Sequence, residues 1–252
     1  MWRWPIEYAG IAVQLLLLLR SAWAHLLTRY YFFYTYVASG ILGSAILMTM
    51  LLRTPVLYAK GYWAVQFVTL VAGYGILLEI MNHVLAPYPG AERFARAAGV
   101  VAFCAIFLFA LLAPFIKSQW APVVVIEFER DLRSVQSLFI CGLLGVIFYY
   151  GIPIGKNMKG MILGYGLYIV TSLMTLAVRA YAGPSFSAVW KVVQPLSFDV
   201  SLVIWLVALW SYCPNPEPDP NIALEQDYEA LASRTRGVID IIRTYLRKAA
   251  RA

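Results

Sequence analysis

Glu79, Asn82 and His83 stand inside one long apolar run, from Tyr62 to Ala86. Glu79 and His83 are four apart, which on a helix places both on one face, able to share a proton or to grip a metal ion. Arg20 and His25 reach a similar level if neighbouring runs cross in opposite directions, so a structural Glu79–Arg20 ion pair is the competing expectation. A second set gathers toward the other end: Asp199 and Arg179, with Lys191 and Gln194 near them in sequence and Gln66 and Gln136 at similar depth on other runs. An Asp199–Arg179 pair either pins two adjacent helices or, with the two glutamines, lines a ligand pocket. The third set is Glu127-Phe128-Glu129-Arg130-Asp131-Leu132-Arg133, with Glu129–Arg133 at i,i+4 and Glu127–Arg130 at i,i+3. That spacing suits a solvated helix extension or a docking surface for a protein partner.

Other chemistries lack their residues. There is no P-loop, GxSxG, HExxH or EF-hand loop, so an ordinary hydrolase or ATPase is disfavoured. Cys104, Cys141 and Cys213 form no CxxC pattern, which leaves neither a disulfide framework nor a metal knuckle. No lysine lies deep in an apolar run, so a retinal Schiff base has no attachment point, and His25 with His83 could hold at most one haem. The expectation is no catalytic residue, no metal and no cofactor. Gly160-Met161-Ile162-Leu163-Gly164 is a GxxxG, read as close helix packing within the bundle. Gly73-Tyr74-Gly75 and Gly164-Tyr165-Gly166 follow no Thr-Val pair, so neither reads as an ion filter.

The elements that must position these residues follow from composition. The 252 residues are 62% hydrophobic and 13% charged, against about 45–50% and about 25% in soluble domains. With a mean hydropathy of +0.71, a water-soluble globular protein is excluded and the lipid bilayer becomes the principal partner. In lipid every backbone polar group must be bonded internally, and long apolar runs without alternation select helices over a barrel. The sequence predicts an all-α integral membrane protein with seven transmembrane helices over 1–212: Ile6–Ala24, a second run that follows the aromatic stretch Tyr30-Tyr31-Phe32-Phe33-Tyr34 and ends near Leu52, Tyr62–Ala86, Ala97–Ile116, Ser134–Tyr150, Gly160–Tyr181 and Leu196–Tyr212. The fifth extends outward if a helix starts near Pro122. Trp2, Trp4, Trp23, Trp63, Trp120, Trp190 and Trp210 fall near the boundaries, as an aromatic belt would.

A stiff Pro-rich linker, 213–220, leads to a tail, 221–252. Leu224, Tyr228, Leu231, Val238, Ile241, Ile242, Tyr245 and Leu246 recur mostly at three or four, which predicts an amphipathic helix with Asp219-Pro220 as its cap and Gly237 as a break. The helix either lies on the membrane or docks a partner, or folds back to cover the bundle. The net charge of +7 then points to anionic headgroups rather than nucleic acid. Twelve of the Lys and Arg residues, six of them in the tail, fall on one side and eight on the other. The positive-inside rule therefore puts the C-terminus in the cytoplasm and the N-terminus outside an inner membrane, although the loops without the tail count the other way. Arg3, the run Ile11–Leu19 and Ala22-Trp23-Ala24 imitate a secretory signal; Glu7 and Arg20 argue against cleavage, which would leave six spans.

Glu129-Arg130-Asp131-Leu132-Arg133-Ser134-Val135-Gln136, Gly164-Tyr165-Gly166-Leu167 and Ile204-Trp205 through Tyr212 resemble segments of uncharacterised bacterial multispan membrane proteins. The resemblance implies the membrane fold and carries over no functional residue. Three functions remain open: a sensor or receptor-like protein working through a partner, a small-solute or ion transporter, and a non-catalytic subunit or scaffold of a membrane complex.

Overall fold

The computed structural model describes residues 3–117, 121–182, 187–217 and 223–249. Among them the chain is all helical, with no strand: α1 (Arg3–Trp23), α2 (Tyr31–Arg53), α3 (Pro55–Leu85), α4 (Pro89–Lys117), α5 (Ala121–Tyr150), α6 (Lys156–Ala182), α7 (Ser187–Ala208) and α8 (Leu224–Ala249). Connections as short as Thr54 force consecutive helices to run antiparallel. Each helix packs on the next, and α1 packs on α7, so the seven close into a ring. α3 also touches α5 and α6, which makes it the inner helix.

Proline placement moves several boundaries from their expected positions. Pro55 and Pro89 lie at helix starts, where the missing N–H is an orphan anyway. α3 therefore resumes one residue after α2 ends, rather than at Tyr62, and α4 opens inside the Pro-rich turn rather than at Ala97. α7 starts at Ser187 and runs through Pro195. α5 does begin near Pro122, and α8 continues through Gly237 without the expected break. Asp219 and Pro220 lie outside the described residues.

The core is aromatic and tight. Trp205 is wholly buried, edge-on to Phe33 at 5.0 Å and to Tyr36 at 6.5 Å. Glycines on α6 let α7 come close: a Cβ at Gly160 would strike Ala208, and one at Gly164 would strike Trp205. The GxxxG is thus internal packing between α6 and α7. Outside, Leu138, Phe148, Leu163 and Met174 leave most of their surface bare of protein. Three helical stretches among the described residues are long and apolar enough to cross a membrane: Tyr31–Arg53, Lys60–Leu85 and Phe128–Tyr150. Tyr8–Trp23 and Val192–Ala208 are shorter apolar helices.

Candidate functional site

Two polar layers lie inside this apolar frame. The first is at the end where α1, α3, α5 and α7 finish and α2, α4, α6 and α8 begin. A helix start leaves N–H groups without intrahelical partners, and a helix finish leaves carbonyls. Here side chains from other elements supply those partners. Glu79, buried on α3, accepts from the N–H groups of Phe32 (3.1 Å) and Phe33 (2.9 Å), so its carboxylate caps α2. A negative group at a helix N-terminus is favoured by the dipole as well as by the hydrogen bonds.

Arg20 is therefore not the partner of Glu79. Its Nε donates to the Trp210 carbonyl at 2.8 Å, and its guanidinium lies over the Trp210 ring. His83 does share a face with Glu79, but its Nδ1 lies 2.9 Å from the Glu79 backbone carbonyl oxygen and its ring rests against Tyr30. The proposed proton-sharing pair is thus engaged elsewhere at both side chains. Asn82 Oδ1 is buried without a hydrogen-bond partner among the described residues. Tyr30, in the turn before α2, is enclosed by this layer, and burial pushes its hydroxyl up to about 12, so it stays a neutral donor.

Three residues that the sequence did not single out complete this layer. Asn157 on α6 donates through Nδ2 to the carbonyls of Ala208 (3.0 Å) and Ser211 (2.9 Å), and its Oδ1 accepts from the Cys213 N–H. Asn215, in the linker, accepts from the Gly155 N–H at 3.0 Å and donates to the His83 carbonyl at 3.2 Å. Glu225, in the first turn of α8, accepts from the Gly90 N–H at 2.7 Å and from Ala91 at 3.5 Å, and so caps α4. Asp227 then accepts from the Tyr150 hydroxyl at 2.9 Å, and Leu224 is buried. The tail's first turns fold back on the bundle. Adjacent Asn or Glu residues flanking an apolar run were the available signal.

The second layer lies within the bundle, where α2, α3, α5 and α6 meet. Arg133 is only 4% exposed. Its guanidinium donates twice to one Glu129 oxygen, at 2.7 and 2.9 Å, and once to the Tyr168 hydroxyl at 3.3 Å. Tyr36, Tyr165, Gln66 and Gln136 complete the wall of a small cavity of about 40 Å³ beside it, room for about one water. Tyr165 reaches across to donate to the Gly73 carbonyl at 2.6 Å. The i,i+4 pair Glu129–Arg133 is therefore real, but the expectation of a solvated helix extension fails at Arg133. The reason is position: α5 starts far enough before Phe128 that Arg133 is drawn between neighbouring helices. Arg130 pairs with Asp131 at 3.1 Å, and the Glu127 side chain lies outside the described residues.

Gln66 and Gln136 are thus brought together, but around Arg133 and not around Asp199. Asp199 sits between α7 and α1, where a Cβ at Gly10 would come within 2.5 Å of its Oδ1. Gln14, one turn further along α1, is buried, and its Oε1 has no hydrogen-bond partner among the described residues. The side chains of Arg179 and Lys191 lie outside the described residues. What joins α6 to α7 nearby is Gln194, which accepts from the Thr175 hydroxyl at 3.2 Å and donates to the Ser172 hydroxyl at 3.0 Å. No group of three or more His, Cys, Asp or Glu among the described residues could hold a metal ion. The chain matches no family model, no curated protein and no solved structure.

Proposed function

We propose that the chain is a multi-pass membrane protein whose seven helices, α1–α7, all cross the bilayer, and that it works as a sensor, passing a change in the bundle to a protein partner through the tail. The capped end with α8 is then cytoplasmic in an inner membrane, and the N-terminus lies outside. A charged side chain within a span is costly and by default functional, which makes the Arg133 cluster the input.

One observation carries this reading: α5 bears Arg133 inside the bundle and, at its last turn, Tyr150, whose hydroxyl holds Asp227 of α8. A rigid helix joins the buried charge to the tail, so rotation or sliding of α5 on repacking around Arg133 must strain the Tyr150–Asp227 bond. The tail's other anchor, Glu225 of α8 capping α4, gives a reference that is independent of α5.

Hydrogen–deuterium exchange over 224–237 in mild detergent tests the coupling. Glu225→Gln releases the anchor directly and should raise exchange there. Arg133→Gln should raise it by roughly fivefold or more although Arg133 does not touch α8, and Arg133→Lys should recover part of the protection. Unchanged tail exchange in Arg133→Gln, with the Glu225→Gln rise intact, overturns the sensor reading in favour of a transporter or a scaffold subunit.

A further inference from the structure

One large concavity belongs to neither polar layer. It is a groove of about 810 Å³ between α5 and α6, within the range of about 300–1,000 Å³ usual for ligand sites. It runs along α5 from Ser137 to Phe148 and along α6 from Lys159 to Val170, a stretch of twelve residues on each helix with about 16 Å between its ends. At the capped end it is closed by Ile152 of the α5–α6 turn and Pro216 of the linker. The groove is open because side chains are missing: a Cβ at Gly166 would meet only Ile140, at 3.8 Å, and one at Gly151 would meet nothing within 4 Å.

We propose that this groove binds one anionic phospholipid of the leaflet on the capped side. Its length matches half of the roughly 30 Å hydrocarbon thickness, the reach of acyl chains in one leaflet. Its walls are apolar apart from Ser137 at the deep end, the Cys141 thiol and Lys159 at the mouth, the one charged residue in the lining. Lys156, also exposed, lies three residues before Lys159 and adds a second positive charge on that side of α6, outside the lining itself. A phosphate there meets positive charge at headgroup level while the chains fill the apolar slot. A sterol would leave the positive charge at the mouth unused.

The proposal rests on the membrane reading above. Alkaline carbonate extraction of membranes holding the full chain tests that reading by itself: release into the soluble fraction overturns both, whereas retention leaves the lipid site to stand or fall alone. Native mass spectrometry in mild detergent then compares added phosphatidylglycerol with phosphatidylcholine. The wild type should retain one phosphatidylglycerol, favoured by roughly fivefold. Lys159→Gln should lose the preference, and Gly166→Leu, which fills the slot without meeting backbone, should lose the adduct while keeping the wild-type thermal transition. Equal retention of both lipids by all three proteins overturns the site. So does a dimer that Gly166→Leu abolishes, since a second copy would then be the occupant.

Discussion

Arg133 and Glu129 hold one another inside the bundle, and each is acceptable there only because of the other. Replacing one partner strands a charge, so Arg133→Ala or Glu129→Ala should each lower stability by about 3–5 kcal/mol, whereas the double change to Met and Leu should come out near neutral. Thermal unfolding in a fixed detergent measures all three, and additivity of the single effects would refute a coupled pair. Glu79→Gln keeps the shape but weakens charge-assisted bonds to Phe32 and Phe33; a loss of roughly 1 kcal/mol is expected, without a change in metal affinity. The positions of Glu79, Gln66, Gln136 and the Glu129–Arg133 pair were readable from spacing. Their partners were not. Periodicity tells which face of its own helix a residue occupies, but Glu79's ligands are N–H groups more than forty residues away, and only tertiary packing brings them near.

Helix ends decide how the elements fit together. The seven runs were visible as hydrophobic stretches, and the tail as a three-four repeat, because these patterns are local. The starts at Pro55 and Pro89 are not legible in the sequence because proline both ends one helix and opens the next, and sequence alone does not weigh the two roles. Trans-capping also makes glycines at helix starts sensitive. A Cβ at Gly90 would collide with Tyr228 and Glu225 of α8. Gly90→Ala should therefore detach the tail, and trypsin should then cut at Arg234 or Arg236, both exposed, several-fold faster than in the wild type. Unaltered cleavage would mean that α8 is held by something other than this contact. Gly164→Leu, which must displace buried Trp205, should destabilise the α6–α7 pair by about 1–3 kcal/mol.

For the molecule as a whole, alternation of helix direction places Thr54 and Cys213 at opposite ends of the ring. In sealed vesicles, a membrane-impermeant maleimide should label native Cys213 from one side and a Thr54→Cys variant, built with Cys213→Ser, from the other. Labelling of both from the same side would rule out seven crossings. Which end faces the cytoplasm was poorly readable beforehand, since the loops and the tail carry opposing counts of basic residues.

The contact between α1 and α7 that closes the ring also has a meaning in time. A ribosome delivers α1 first and α7 last, so the first stave waits for its neighbour until nearly the entire bundle has been made. Through that interval Gly10 on α1 lacks the Asp199 that packs on it, and Ser172 and Thr175 on α6 lack Gln194. A nascent chain stopped before α7 would be an open arc whose seam exposes the Ser172 and Thr175 hydroxyls to the proposed bilayer. Such arcs are what insertion chaperones and membrane proteases recognise, so truncations before Ser187 should be degraded in cells, while a separately expressed α7 segment should rescue them by closing the seam.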